Sequence, residues 1–112
     1  MSLHMQGAMN IHINNEDDLV EYDVPIKRLD DVISEGESVT FIKMDIEGSE
    51  YKALEGARKI ITKNKPVLAI CIYHRLEHFL EIPLLIKSMN PEYNLIMRHH
   101  IDTTCDAVLY AY

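Results

Sequence analysis

A chain of 112 residues, 47% of them hydrophobic, has room for one domain with a packed core and no second. Its formal net charge of −7 argues against nucleic-acid partners and against docking on anionic membranes, both of which need clustered Lys and Arg. No apolar run approaches the ~20 residues that cross a bilayer, and residues 1–10 lack the basic start and apolar core of a signal peptide.

Residues 1–9 read as a vector-derived or disordered leader, and residues 10–112 as a single partial domain. Residues 10–14 alternate, with Ile11 and Ile13 on one side, and predict a short strand. Residues 19–24 alternate loosely and can pair with it as a hairpin, with Pro25 confining the segment to an edge. Asp30 is placed to cap a short helix that buries Leu29, Val32 and Ile33.

Residues 39–45 form the opening strand of the main sheet, and the helix after it runs from about Ser49 to Thr62. Ala53, Leu54, Ala57, Ile60 and Ile61 have the spacing of one helical face. Ser49 is the expected N-cap, and Lys59 and Lys63 suit the C-terminal end. Residues 67–73 are apolar without alternation, as in a strand covered on both faces. Residues 74–81 read as a loop or helical turn. Pro83 then suits the first position of a helix that buries Leu84, Leu85, Ile86 and Met89. Residues 93–99 and 107–112 are strands joined by a short polar loop, hence an antiparallel hairpin. Strands alternating with helices make this an α/β domain. Cys71 is a core residue and Cys105 a loop residue. No disulfide is expected, which fits a reducing cytoplasm.

The chemistry concentrates in Lys43-Met44-Asp45-Ile46-Glu47-Gly48-Ser49-Glu50, a strand, a tight turn and a helix start. Ligands of open α/β sheets bind at the carboxyl ends of strands, where Asp45, Glu47 and Glu50 lie. Asp45 is the first candidate, as a base, a substrate ligand or a metal ligand. The bland alternative has it bonding only the amides of its turn. Glu47 precedes the glycine and can face a substrate. Glu50 reads as an acidic residue favoured by the helix dipole. Lys43 falls on the same side of the strand as Asp45 and can pair with it. Tyr73 and His74 end the next strand at the same edge, and His74 is a second candidate base. A metal held by Asp45 and Glu47 is conceivable, but one extra carboxylate does not establish it, and no metal is assigned. His74-Arg75-Leu76-Glu77-His78 also fits H-x-x-E-H, the pattern of inverted zinc proteases, which requires both histidines on one helix.

The segment from Lys43 to Glu50, followed by Leu54-Glu55-Gly56-Ala57, resembles the signature of the FkbM-type methyltransferase family. Val24-Pro25, Leu29-Asp30-Asp31, Lys65-Pro66, Ile72-Tyr73-His74, Glu81-Ile82-Pro83, Tyr93 and Arg98-His99 resemble it in order and spacing. The resemblance implies a class I, Rossmann-like fold with sheet order 3-2-1-4-5-7-6, of which this chain carries strands 4, 5, 6 and 7. It also implies S-adenosylmethionine (SAM) as cofactor and a sugar or small-molecule hydroxyl as acceptor. The family's glycine loop after strand 1 and acidic residue after strand 2 have no counterpart here. The chain therefore resembles a C-terminal half, with no cofactor-binding residue assigned and no activity expected of it alone. Strand 4 without strand 1 implies a homo-oligomer or a missing N-terminal half. A non-catalytic, dimeric assembly module is the alternative.

Overall fold

The computed structural model describes residues 24–102 and 106–112. The expected N-terminal hairpin and Cys105 lie outside them, apart from Val24. The elements run α1 (Leu29–Val32), β1 (Phe41–Met44), α2 (Glu50–Glu55), α3 (Arg58–Asn64), β2 (Val67–Cys71), α4 (His78–Met89), β3 (Leu95–His99) and β4 (Ala107–Ala111). The sheet order is β1-β2-β4-β3. β1 and β2 are parallel, while β4 is antiparallel to both of its neighbours. This is the order 4-5-7-6 that the family resemblance implies.

Burial explains the order. In β2, Leu68, Ala69, Ile70 and Cys71 are all buried, so this strand takes an interior place with helices on its faces. β4 alternates, with Ala107, Leu109 and Ala111 buried. Leu54, Ile61, Leu68, Ile70, Ile72, Ile82, Ile86 and Leu109 are fully enclosed. Each such side chain contributes about 1.5–3 kcal/mol of burial free energy. Tyr93 is also buried, and its hydroxyl donates to the Pro66 carbonyl at 2.5 Å. No helix among the described residues is long and apolar enough to cross a membrane.

Six local expectations are corrected. The helix after β1 is not continuous over residues 49–62: it ends at Glu55 and restarts at Arg58. The cause is α1. The Asp30 amide donates to the Gly56 carbonyl at 2.9 Å, and its carboxylate accepts from the Lys59 and Ile60 amides, both at 3.1 Å. Asp30 thus caps α3 rather than its own helix, and Lys59 falls in the first turn of α3. Val32, in contrast, is 57% exposed and is not part of the core.

The last helix begins at His78, placing Pro83 in its interior. The amides of His78, Phe79 and Leu80 bond carbonyls three residues back, a tight opening turn that starts the helix early. An interior proline costs about 3 kcal/mol. Burial of the stripe His78, Ile82, Leu85, Ile86 and Met89 offsets it. Leu84 lies off that stripe and is 61% exposed, and Ile82 fills the place expected of it.

Two measurements test this framework. Asp30→Ala removes both caps of α3 and should lower unfolding free energy by about 1–2 kcal/mol in denaturant titrations. Burial raises the Tyr93 hydroxyl above the ordinary phenol value of 10.0. A raised pKa stabilises the fold fully below the unfolded value, and this contribution is lost as pH climbs through the folded one. Tyr93→Phe should cost about 0.5–1.5 kcal/mol at neutral pH. It should also flatten the loss of stability above pH 10.0. An unchanged alkaline limb in the variant would contradict this origin.

Candidate functional site

β1 delivers the chain to the turn 45–49 at the carboxyl edge of the sheet. The turn is left-handed at two residues, Glu47 with φ 56° and Gly48 with φ 95°. Glycine accepts this conformation without penalty. At Glu47 the same conformation costs about 1–2 kcal/mol, so the strain falls on an acidic side chain at a strand end. Ser49 occupies the N-cap position of α2 without making a side-chain cap. Glu50 supplies a carboxylate instead, and its Oε1 accepts from the Ile46 amide at 2.9 Å.

β2 ends one parallel step away, and the chain continues through Ile72 to Tyr73 and His74. The His74 side chain is 10% exposed. Its Nε2 stands 3.6 Å from Asp45 Oδ1 and 3.5 Å from Glu47 Oε1, and its Nδ1 stands 3.3 Å from Glu50 Oε1. The Tyr73 hydroxyl donates to Asp45 Oδ1 at 3.4 Å, and its ring stacks on His74 with centroids 4.0 Å apart. Desolvation and then the Asp45 charge raise the Tyr73 hydroxyl above its usual value. The same two influences push the Cys71 thiol up to about 11, so it remains a neutral core group.

Asp45, Glu47, Tyr73 and His74 therefore converge. The expected pairing of Lys43 with Asp45 does not form: no ion pair joins them within 4.0 Å. Glu50, read from sequence as a helix-dipole residue, is 0% exposed and lies between two histidines, with His78 Nδ1 3.7 Å from its Oε2. Glu50 Oε2, His74 Nδ1 and His78 Nδ1 make no hydrogen bonds. The sequence held a signal for it: Glu50, Leu54, Ala57 and Ile61 recur on one helical stripe, and the other three are core residues.

The H-x-x-E-H pattern does not form its helix. α4 starts at His78, leaving His74 outside it, and Glu77 pairs with Arg75 at 3.0 Å. The group with metal-ligand spacing among the described residues is Asp45, Glu47 and His74. Among the described residues the glycines are Gly36, Gly48 and Gly56, and none opens a Gly-x-Gly turn between strand and helix. A hollow of about 500 Å³ lined by Tyr51, Arg58, Glu81, Leu84, Leu85 and Ser88 includes none of the strand-end cluster.

The buried role of Glu50 is testable. Glu50→Ala removes the bond to the Ile46 amide and a carboxylate facing two buried imidazoles, and should lower unfolding free energy by about 1–3 kcal/mol. Glu47→Gly relieves the left-handed strain and should leave stability unchanged or raised. Chemical denaturation of both variants checks the contrast.

Comparison with known proteins accords with this geometry. The family model for the methyltransferase FkbM domain matches residues 2–98. The crystal structure of methyltransferase FkbM from Methylobacillus flagellatus KT is 45% identical, with a TM-score of 0.74. The alignment covers 80% of this chain and 23% of that one, so this chain spans about a quarter of that protein's length. No curated protein matches. The matched domain and the 45% identity to a solved member show that the chain belongs to the FkbM methyltransferase family.

Proposed function

We propose that this chain supplies the acceptor side of a SAM-dependent O-methyltransferase site, which receives a hydroxyl on a sugar or small natural product. The observation that carries the reading is the meeting of Asp45 and His74 at the ends of two adjacent parallel strands, 3.6 Å apart. That edge is where α/β sheets take their ligands.

A hydroxyl that becomes an ether must lose its proton. A carboxylate or imidazole within hydrogen-bond reach of the acceptor oxygen can take it, an effect worth about 10²–10⁴-fold in rate. Asp45 is half-exposed and can meet a substrate, while Tyr73 holds its Oδ1. His74 is the second base. Glu47 and Lys43 orient the acceptor, and Tyr73 offers it an aromatic wall. SAM, when bound, supplies the methyl group. Its binding is expected to need residues beyond those described, so the chain alone is expected to be inactive. Work in a reducing cytoplasm suits the free thiol of Cys71.

The edge position of β1 favours a second reading, as an assembly module. Among the described residues β1 pairs only with β2, and Phe41 on it is exposed. An unpaired strand edge invites another chain. Either a second copy or the rest of a longer methyltransferase would satisfy it.

Three experiments test these readings. Calorimetry of the chain with SAM should show no saturable binding below about 1 mM, a range equivalent to −4 kcal/mol. Micromolar binding would overturn the expected inactivity. In the longer Methylobacillus flagellatus enzyme, replacing the residue aligned with Asp45 by an uncharged isostere should lower turnover of a hydroxyl acceptor by about 10²-fold or more. Undiminished turnover would remove Asp45 from the site. Light scattering that finds a monomer at high concentration would exclude the dimeric module.

A further inference from the structure

We propose that Asp45, Glu47 and His74 form a binding site for one divalent cation of the Mn²⁺ or Zn²⁺ class, with Glu50 orienting His74 from behind. The sequence alone assigned no metal. The inference rests on the geometry of the same cluster that the methyl-transfer reading uses, and with the ion bound Asp45 and His74 act as its ligands rather than as free bases.

The first argument is distance. His74 Nε2 is 3.6 Å and 3.5 Å from the two carboxylate oxygens. These separations exceed the 2.7–3.2 Å span of N–H···O bonds. They are close to the ligand–ligand edge of a tetrahedral site, which is about 3.3–3.5 Å for metal–ligand bonds of 2.0–2.1 Å. One atom from each of the three residues lies within 4.8 Å of the others. The side chains lie within ion-pair distance of one another, and the same spacing leaves room for a cation between them.

A second, independent argument is the state of His74. Its side chain is nine-tenths buried, its Nδ1 has no hydrogen bond, and its Nε2 is aimed at Asp45 and Glu47. Glu50 Oε1 stands 3.3 Å from Nδ1. A carboxylate behind a histidine is the usual way a metal-binding imidazole is held in one tautomer and one orientation. Stacking on Tyr73 fixes the ring plane further.

Charge points the same way. Three carboxylates, Asp45, Glu47 and Glu50, surround one imidazole. Arg75, the neighbouring guanidinium, is paired with Glu77. A divalent cation is the counter-charge that this arrangement calls for. Two oxygens and one imidazole nitrogen suit Mn²⁺ or Zn²⁺ better than Ca²⁺, whose sites are built from oxygens. Glu47 is 86% exposed, so the outer positions of such an ion face water or an incoming hydroxyl.

The test uses the chain itself. Mn²⁺ titration, followed by loss of the free-ion electron paramagnetic resonance signal, should give one site per chain, and equilibrium dialysis should find a competing Zn²⁺ ion there. Glu47→Gln and His74→Gln should each weaken binding at least tenfold, and Glu50→Gln by about 10–100-fold, the usual effect of losing a supporting carboxylate. Glu47→Gln changes an exposed side chain, so it reads the site even if the buried variants fail to fold. No saturable binding of either ion below millimolar concentration, or Mn²⁺ binding unaffected by Glu47→Gln, would overturn the proposal. Metal binding by this chain, with undiminished turnover when the residue aligned with Asp45 is replaced in the longer Methylobacillus flagellatus enzyme, would leave the proposal standing while removing the methyl-transfer reading of Asp45.

Discussion

The carboxylate of Glu50 is the constraint on which the site depends. It is fully buried, and it reaches four parts of the chain. It receives the Ile46 amide from the turn after β1, and it opens α2. It also faces His74 beyond β2 and His78 at the head of α4. An ionised carboxylate in an apolar interior is costly unless polar groups surround it. Those groups all come from the strand-end loops, so the cost is met only when these loops lie together. Glu50 therefore ties the geometry of the exposed edge to the stability of the core beneath it.

That coupling explains how the exposed residues hold their places. Asp45 and Glu47 are surface side chains on a turn, and such groups usually keep several rotamers. Here the turn is fixed by a left-handed Glu47-Gly48 pair and by the amide that Glu50 holds. His74 is fixed on the opposite side by Glu50 and by the Tyr73 ring. Loop groups positioned by a rigid scaffold are the common arrangement of catalytic and binding sites.

Much of this was legible in the sequence. The unbroken apolar run of residues 67–73 marked an interior strand, and the short loop before residue 107 marked a hairpin, which together fix half the sheet. Asp45, Glu47, Tyr73 and His74 could be placed at one edge because two parallel strands end there. What was hidden depended on contacts distant in sequence. Asp30 looks like a cap for the helix that contains it, yet its carboxylate serves amides 29 and 30 residues later. The break in the helix after β1 follows from that contact and not from local propensity. Pro83 read as a helix start because the stripe that carries α4 through it includes His78, a residue that sequence alone placed in a loop. Glu50 was misread for a similar reason: its burial reflects the two histidines that reach it, 24 and 28 residues on.

The place of β4 has a further consequence, for the order in which the sheet is completed. β4 is last in sequence among the strands but lies between β2 and β3. A chain made from its N-terminus cannot close the sheet until residues 107–111 have emerged. Until then β2, the most apolar strand, has one open side, with Leu68 to Cys71 waiting for partners between Val108 and Ala111. The nascent chain thus carries its stickiest edge uncovered while residues 72–106 are made, and β4 serves as the cover. Chains that stop short of Ala107 would be expected to aggregate rather than to fold as a smaller sheet.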